Sequence, residues 1–428
     1  MRILMAGQAY YPSVNGQATF TINLAEGLAG SGHQVLVVTS SEKGPAYRSR
    51  RNGVQIFALR SIALNYLHPG VFFSPLPGAA VRRAFEAFHP DIVHIQDHYP
   101  ISHAAVKSAH KYGLKVVGTN HFMPENVAPY FPLLSDFKPG FDKLMWAWPL
   151  GLYYRLDVVT APSETAAAIL RWHGLQPPVH PISCGIDLER FQPKPQADRH
   201  TLRQRFGLDP DKIAFLYIGG VDAEKRLDML IQAVHQLGRQ DIHLVIAGKG
   251  ADRHRLADLA SQLGIEQQVR FLGFVPEANK VDLLNSADVF AMPSEAELLS
   301  IATLEAMACR RPVLAARSKA LPELVDEGIN GYLFKPGDVG DAARKMTLLA
   351  NHPERWERMG AASLEKARGH SLEATVNKYE NIYAALRFKT VQQPEFDAKP
   401  HSNRDKDTQV NLNPSGARLP ALGRGKSR

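Results

Sequence analysis

Short runs of β-branched and other apolar residues alternate with amphipathic stretches along the first half of the chain. Between the first two runs, the apolar positions of ATFTINLAEGLAGSGH recur at helical spacing and end at glycine. The apolar runs predict buried parallel strands at Arg2–Ala6, Val35–Thr39, Ile92–Ile95, Lys115–Gly118 and Asp157–Thr160.

The second half repeats this pattern, with amphipathic helices predicted at Leu227–Leu237 and Arg253–Leu263. Its predicted strands are Ala214–Ile218, Leu244–Ala247, Val269–Leu272, Val289–Met292, Val313–Ala315 and Tyr332–Phe334. Alternating strands and helices indicate an α/β fold with two Rossmann-like, doubly wound domains. Ligands bind beyond the carboxyl ends of such strands, so we expect two sheet edges to face one central cleft.

A proline-rich stretch, PISCGIDLERFQPKPQADRH, separates the two halves. We therefore assign residues 1–193 to a first domain and 194–370 to a second. Residues 371–390 are predicted to form a C-terminal helix that packs back on the first domain. Residues 391–428 are poor in aromatic and branched apolar side chains, so we predict a disordered basic tail.

The composition narrows the class of protein. The 428 residues are 45% hydrophobic and include only two cysteines, which excludes a disulfide framework and suits a reducing compartment. The apolar run at the start is too short for a signal peptide, and proline or glycine interrupts the longer uncharged runs. We expect a cytoplasmic protein that at most lies peripherally on the inner face of a membrane.

The net charge of +8 is unevenly distributed. Residues 1–193 carry +4, residues 194–386 carry −1, and residues 387–428 carry +5. No recognised nucleic-acid-binding motif concentrates this charge, so we expect no nucleic-acid partner. The basic first domain and the basic C-terminal segment favour an anionic membrane surface as a partner.

The clearest chemical signal is PSEAELLSIATLEAMACRRPVLA at residues 293–315. Ser300 is placed to cap a helix whose free N–H groups and dipole favour a phosphate. Glu297, just before the helix, is placed to accept hydrogen bonds from sugar hydroxyls, and Glu305 to hold a ribose diol. Taken alone, the segment is also compatible with a capped core helix carrying two solvated glutamates.

Two glycine turns add to this signal. Gly219 and Gly220 follow a predicted strand, and without side chains they would let the backbone approach a diphosphate. Lys225, before the next helix, is placed to neutralise charge on a departing phosphate. Gly16 lies between the first strand and the first helix, where it would approach the same or a second ligand. Each turn alone is equally typical of an ordinary strand-to-helix connection.

From Met1 to about Leu386, the ordered series of motifs resembles glycosyltransferase family 4. The series includes Glu297 and Glu305 followed by AMA, together with ISCGIDLERFQP, LVIAGKG, RFLGFVP and EGINGYLFKPGD. The resemblance implies a GT-B architecture and a UDP- or GDP-linked sugar held mainly by the second domain. It also implies an acceptor held by the first domain, transfer with retention of the anomeric configuration, and neither a metal nor a cofactor.

The resemblance also implies the roles of single residues. Lys225 would bind the diphosphate, Glu297 the sugar and Glu305 the ribose. His121, in GTNHFMPEN, resembles the family's histidine near the sugar, so His121, Lys225 and Glu297 are the expected catalytic residues. The remaining donor contacts would be the backbone N–H groups of Ser300, Ile301 and Ala302 for phosphate and sugar, and Val275 for the base.

The chain departs from the family pattern at the phosphate site. Gly220 stands where the family usually has arginine, and Ser300 stands where it usually has glycine. Arg226 follows Lys225, but in a helix it would point about 100° away from its neighbour. Leaving-group stabilisation is therefore expected to depend on Lys225.

Two features of the first domain bear on the acceptor. Asp97 and His98 follow a predicted strand end, where they would form an acid–base pair on an acceptor hydroxyl or a simple loop ion pair. Aromatic residues lie near Arg82 and Arg83 in residues 63–88. A later segment, with Lys138, Lys143 and Arg155, carries Tyr130, Phe131, Phe137, Phe141, Trp146, Trp148, Tyr153 and Tyr154. As a group they favour a membrane-surface acceptor, although each one singly fits a core position.

We therefore expect a hexosyltransferase whose acceptor is a membrane lipid or a lipid-linked saccharide, with a soluble sugar or metabolite as the alternative. A nucleotide-sugar epimerase and an inactive sugar-nucleotide binder are further alternatives. The sequence leaves the oligomeric state open.

Overall fold

The computed structural model of the chain describes residues 1–13, 15–64, 72–126, 138–194 and 198–391. Its strands are β1 Arg2–Ala6, β2 Gln34–Ser40, β3 Tyr47–Arg51, β4 Val54–Leu59, β5 Ile62–Ala63, β6 Phe72–Phe73, β7 Ile92–Ile95, β8 Val116–Thr119, β9 Val158–Ala161, β10 Val179–Pro181, β11 Ile213–Ile218, β12 Ile242–Ala247, β13 Val269–Gly273, β14 Val289–Met292, β15 Val313–Ala316 and β16 Gly331–Phe334.

Helices fill the connections between most of these strands, and one-turn 3-10 helices occur at Pro124–Asn126, Ala223–Lys225 and Pro353–Arg355. The α-helices are α1 Gly16–Gly30, α2 Gly78–Phe88, α3 Pro100–Lys111, α4 Lys138–Tyr153, α5 Glu164–Trp172, α6 Arg199–Arg205, α7 Leu227–Leu237, α8 Arg253–Gln262, α9 Glu277–Ser286, α10 Ile301–Ala308, α11 Leu321–Leu324, α12 Val339–Ala350, α13 Trp356–Arg368 and α14 Leu372–Val391.

Two parallel sheets form the centres of two α/β domains, as the strand–helix alternation predicts. Among the described residues the first sheet has the order β10-β9-β8-β7-β1-β2-β4-β3, and only the β3–β4 pair is antiparallel. The second sheet has the order β13-β12-β11-β14-β15-β16 and is parallel throughout. The predicted fold class is confirmed.

Two neighbouring strands at one side of the first sheet, the edge strand β3 and the adjacent strand β4, were not predicted. The first of the two, β3 (YRSRR), is polar, and its three central residues are exposed, so it carries no apolar run. Its partner β4 (VQIFAL) alternates more buried with less buried positions, which is the usual signal of a half-buried strand. The two strands pair from Tyr47 opposite Ala58 to Arg51 opposite Val54.

The C-terminal helix α14 crosses to the first domain and packs against α1. Backbone hydrogen bonds fix its start: Ile186 N–H donates to the His370 carbonyl, and Leu372 N–H donates to the Ile186 carbonyl. Gly185 at this crossing has φ +74, and a Cβ there would lie 3.0 Å from the Leu372 Cα. The domain limits at 193 and 370 stay predictions, and the predicted tail lies outside the described residues apart from Val391.

A buried polar cluster joins α14 to the first sheet. His94 of β7 is fully buried, with Nδ1 2.7 Å from the Tyr383 hydroxyl and Nε2 2.7 Å from Thr119 Oγ1. The Tyr379 hydroxyl lies 2.9 Å from Thr160 Oγ1 and 3.1 Å from Thr119 Oγ1. Because each polar atom has a partner, this cluster fixes the helix to the sheet without an orphaned group.

His94 should make the protein less stable in acid. Burial lowers the pKa of His94 to about 3, whereas unfolding restores an ordinary pKa of about 6.5. As the pH falls from 6.5 toward 4, the unfolded chain binds a proton that the folded chain does not. The free energy of unfolding should then decrease by up to about 1.4 kcal/mol per pH unit.

Denaturant titrations at pH 7, 6 and 5 would measure this slope. The variant His94→Gln should reduce it by up to that amount, and His254→Gln, at an exposed position of α8, should leave it unchanged. An equal slope in the wild type and His94→Gln would rule out His94 as its source.

Among the described residues, we find no helix that combines the length and apolar character needed to cross a membrane.

Candidate active site

The carboxyl ends of β11, β12 and β14 bring three loops together at one edge of the second sheet, because β11 lies between the other two strands. A Cβ on Gly248, whose φ is +152, would lie 1.8 Å from the Gly219 carbonyl oxygen. A Cβ on Gly250 would lie 2.1 Å from the Val221 carbonyl oxygen. The glycines of LVIAGKG therefore allow the loop after β12 to lie directly against the loop after β11.

Gly219 itself has little space. A Cβ there would lie 2.5 Å from the Tyr217 hydroxyl, which donates a 2.6 Å hydrogen bond to the Gly220 carbonyl. A Cβ on Gly220 would lie 3.0 Å from Asp222 Oδ2. The turn therefore presents backbone at the sheet edge, as the sequence predicts for a loop that approaches a ligand.

Lys225 ends the 3-10 helix after this turn and reaches Glu297 on the loop after β14. Its Nζ lies 2.9 Å from Glu297 Oε1 and 3.2 Å from Glu224 Oε1. Burial alone would lower the pKa of Lys225, but the two carboxylates outweigh burial and raise it. The structure therefore brings two predicted catalytic residues into contact and keeps the lysine charged.

Arg226 does not follow Lys225 in a helix. It adopts the left-handed conformation, with φ 51, between the 3-10 helix and α7. Its Nη1 lies 2.9 Å from Glu295 Oε1, and its Nε lies 3.5 Å from Asp228 Oδ1. The helical geometry expected for Arg226 is wrong, because the backbone reverses there, and its guanidinium is held by two other carboxylates.

Ser300 caps α10 as predicted. Its Oγ accepts hydrogen bonds from Thr303 N–H at 3.3 Å and from Thr303 Oγ1 at 2.8 Å. Ile301 and Ala302 form the first turn, where backbone N–H groups have no partner within the helix. This end of α10 therefore combines N–H donors with the positive end of the helix dipole beside Glu297, which suits an anionic group.

Glu305 is buried on α10, with 3% of its surface exposed, and Lys280 on α9 neutralises it. Lys280 Nζ lies 3.1 Å from Glu305 Oε1 and 2.7 Å from Glu277 Oε1, and Glu277 in turn pairs with Arg190. Burial raises the pKa of Glu305, and Lys280 opposes that rise. Lys280 was not predicted, although the Glu277–Lys280 spacing on one helix face was visible in the sequence.

Val275, the predicted base contact, is partly buried against the core of the second domain. Its neighbour Phe274 is 45% exposed, and Lys249 lies 5.6 Å from the centre of that ring. A base contact at Val275 stays a prediction.

His121 follows β8 at the carboxyl edge of the first sheet. Its ring centre lies 4.8 Å from that of Phe20 on α1, and its Nε2 is buried with no hydrogen-bond partner in the described part of the chain. Burial lowers the pKa of His121 to about 3, so the ring is neutral. Gly16 opens α1 at the same edge, and a Cβ there would meet no atom within 4 Å.

Asp97 and His98 do not form the expected pair. Asp97 accepts hydrogen bonds from the backbone of Gln8 and Tyr99 and from the side chains of Gln17 and Ser102. The His98 ring instead packs among Tyr99, Phe122 and Trp148, with centre distances of 4.7, 4.9 and 4.9 Å. The pair is absent because loop backbone and nearby polar side chains already occupy both Asp97 oxygens.

Both residues follow β7 at the carboxyl edge of the first sheet, and an acceptor there stays a prediction. Burial lowers the pKa of His98 to about 4 and raises the pKa of Asp97. His98 is buried, with 2% of its surface exposed, and its Nδ1 has no hydrogen-bond partner in the described residues.

Across the ranges that the structure describes, no three His, Cys, Asp or Glu residues are grouped so that they could hold a metal ion.

Comparison with known proteins accounts for both domains. The family described as Glycosyltransferase Family 4 matches residues 14–190, and the family described as Glycosyl transferases group 1 matches residues 198–366. This chain belongs to the GT-B glycosyltransferases of family 4. The enzyme is accordingly a glycosyltransferase of the hexosyltransferase class.

Two curated relatives show how far the likeness extends. The transferase is 27% identical over 383 residues to sulfoquinovosyl transferase SQD2 of Arabidopsis thaliana, which covers 86% of this chain and 70% of the relative. It is 33% identical over 242 residues to the D-inositol 3-phosphate glycosyltransferase of Thermobifida fusca. That second match spans only about half of either protein, 54% of each.

Among solved structures, the transferase is similar to Anabaena HepE in complex with UDP-glucose. The TM-score is 0.72 at 19% identity, covering 90% of this chain and all of the other. At that identity the likeness concerns the fold.

Proposed function

We propose that the transferase moves a hexose from a UDP- or GDP-linked donor, with retention of configuration, to a hydroxyl of a membrane lipid or lipid-linked saccharide. The donor half of this proposal rests on the contact between Lys225 and Glu297 beside the N-terminus of α10. A diphosphate at that helix end would find backbone donors and a charged lysine together. Anabaena HepE, which binds UDP-glucose, shares this fold.

Two side chains would assist the transfer step. His121 is neutral, and its unpartnered Nε2 can hydrogen-bond a donor-sugar hydroxyl. Lys225 can stabilise charge on the departing diphosphate. Retention itself is what the family resemblance implies: the acceptor would attack on the same face of the sugar as the departing phosphate, and the phosphate oxygen would receive the acceptor's proton.

The lipid acceptor rests on one observation: an exposed apolar side chain contacts the acceptor edge. Trp148 on α4 is 51% exposed, yet its ring centre lies 4.9 Å from that of His98. Leu144, one helical turn earlier, is 58% exposed, and we call Leu144 and Trp148 the apolar stripe of α4. Lys143 and Arg155, close to this stripe in the sequence, are exposed as well. Trp146 and Tyr153 are instead buried in the core, as are Phe85 and Phe88 of α2. The Tyr130, Phe131 and Phe137 positions lie outside the described residues.

An exposed apolar stripe with flanking cations suits the surface of an anionic bilayer. From there the reacting headgroup of a lipid would reach His98 without leaving the interface. We therefore propose that the enzyme works peripherally on the cytoplasmic face of a membrane.

A soluble acceptor is the second candidate, and the name of the Thermobifida fusca relative, a D-inositol 3-phosphate glycosyltransferase, favours it. Incubating the enzyme with UDP- and GDP-hexoses, with and without a lipid extract or soluble polyols, distinguishes the candidates. Mass spectrometry identifies the product, and NMR assigns its anomeric configuration. Donor conversion without any acceptor would indicate an epimerase or a hydrolase, whereas an inverted product would overturn retention.

Membrane binding makes a separate prediction. The double variant Leu144→Ser/Trp148→Ser should weaken binding to phosphatidylglycerol-containing vesicles by about tenfold or more, because burying each such side chain contributes about 1.5–3 kcal/mol. Vesicle co-sedimentation would measure this. Leu348→Ser, at a 40% exposed position of the second domain, is the matched control. Equal binding by all three proteins would argue against the stripe.

A further inference from the structure

Within the part of the chain that the structure describes, three contacts join the two domains next to the donor site, in addition to the Arg190–Glu277 pair near the domain boundary. The first is apolar. Leu298 follows Glu297, yet it packs in the hydrophobic cluster of the first domain, together with residues of β7, β8 and α4. The loop that carries the sugar-binding glutamate is therefore in contact with the opposite domain.

The second contact joins the segments that carry His121 and Glu297. Lys319, in the turn after β15, has its Nζ 2.8 Å from Glu125 Oε1. Glu125 lies in the 3-10 turn four residues after His121. The next residue, Ala320, donates its N–H to the Glu297 carbonyl at 3.2 Å. One short turn thus contacts both catalytic segments, one in each domain.

The third contact is a helix cap supplied by the other domain. Glu323 on α11 accepts hydrogen bonds from Thr165 N–H at 2.7 Å and from Glu164 N–H at 3.1 Å. These are first-turn donors of α5 that the local cap, Ser163, does not use, since its Oγ accepts from Ala166 N–H. A carboxylate on two backbone donors at the positive end of a helix is a charge-assisted, directional contact.

We propose that Lys319 and Glu323 are positioning residues that hold the two domains in the closed arrangement in which His121 faces the donor sugar beside Glu297. Neither residue needs to touch a substrate. Glu323 sets the spacing between the domains through α5, and Lys319 sets the placement of the His121 segment through Glu125. This proposal deepens the proposed function and rests on the placement of the donor site in it.

The chemistry predicts which kinetic constant changes. Most of the proposed donor groups lie on the second domain, so most of the donor affinity should survive when the contacts between the domains are lost. Chemistry requires both domains, so the turnover number should fall with the closed fraction. Glu323→Gln, which keeps the size of the side chain, should lower kcat about tenfold, with the donor KM within about twofold of the wild type.

The matched control is Glu327→Gln. Glu327 lies on the same segment, but its carboxylate pairs with Arg317 and Lys345 inside the second domain. Its kcat should stay near the wild-type value. An equal loss in Glu327→Gln and Glu323→Gln would show that the effect is general to the segment and would overturn the proposal.

A charge exchange tests the second contact. Lys319→Glu and Glu125→Lys should each lower kcat, and the double variant should recover most of the loss because the ion pair is restored with its direction reversed. Failure of the double variant to recover beyond either single variant would remove Lys319 from the proposal.

Domain closure itself can be read without turnover or an acceptor. Labels at the exposed positions Ser49→Cys and Glu357→Cys report the distance between the domains, since both natural cysteines are buried. With UDP alone, Glu323→Gln should shift the population toward the longer distance, and Glu327→Gln should not. An unchanged distribution in Glu323→Gln would overturn the proposal even if the acceptor and stereochemistry proposed above are correct. A shifted distribution would support it even if they are wrong.

Discussion

Replacing Lys225 with alanine should lower kcat by about 10²- to 10³-fold, the usual effect of removing one preorganised donor from developing charge. Its Nζ lies 2.9 Å from Glu297 Oε1, and its side chain is 19% exposed. Gly220 supplies no second cation at this turn, and Glu295 and Asp228 hold the guanidinium of Arg226. The charge on a departing diphosphate would therefore depend on Lys225 more than in relatives with an arginine.

Steady-state kinetics with a saturating donor would measure the loss. Arg226→Ala is the matched control and should cost less than about tenfold, because that side chain belongs to a separate ion-pair group. The free energy of unfolding of Lys225→Ala should fall by about 1–3 kcal/mol, since Glu297 and Glu224 lose a partner while partly buried. A kcat of Lys225→Ala near the wild-type value, in a folded protein that binds UDP, would refute the assigned role.

Replacing Glu305 with alanine should instead act on donor affinity. If the carboxylate holds a ribose diol, its loss removes charge-assisted hydrogen bonds worth about 1.5–3 kcal/mol each, so the donor KM should rise by about one to two orders of magnitude. The turnover number at saturating donor should change little. Glu305 is 8 residues after Glu297 and is buried, so it contacts neither the reacting carbon nor the acceptor edge in the proposed arrangement.

The ion pair with Lys280 complicates this measurement, because removing one partner leaves the other buried without its counter-charge. The variant Lys280→Met and the double variant Glu305→Gln/Lys280→Met separate the two effects. Lys280→Met should destabilise the fold while keeping most donor affinity, and the double variant should restore stability but not affinity. Titration with UDP and with the free base would show whether the lost affinity belongs to the ribose. Unchanged donor affinity in Glu305→Ala would contradict the role.

Local pattern was sufficient to predict most of the second domain of this enzyme. A parallel strand buried on both faces is a continuous apolar run, and β11, β12 and β14 were therefore visible within a residue or two. Ser300 could be recognised as a cap because capping is decided within four residues. The Lys225 contact could be anticipated because the carboxyl ends of adjacent parallel strands meet at one edge.

The local sequence pattern did not reveal the polar edge strand β3 or the reversal of the backbone at Arg226. The polar strand β3 is held by its pairing with β4 and not by a buried face of its own. The left-handed backbone of Arg226 is an exception to the usual preference of non-glycine residues, so helical continuation was the natural but wrong expectation.

The sequence by itself determined the two α/β domains, the family and the loops that meet at the carboxyl edge of the second sheet, because each depends on spacing along a single segment. Only the tertiary structure decided which distant side chains meet. Tyr383 reaches His94 across 289 positions, and Glu323 caps a helix that begins 159 positions earlier. The energy of such contacts depends on geometry that folding creates, so no local pattern records it. For the same reason, the sequence led us to expect Asp97 to pair with His98. In the folded protein Asp97 accepts hydrogen bonds from loop backbone and polar side chains instead.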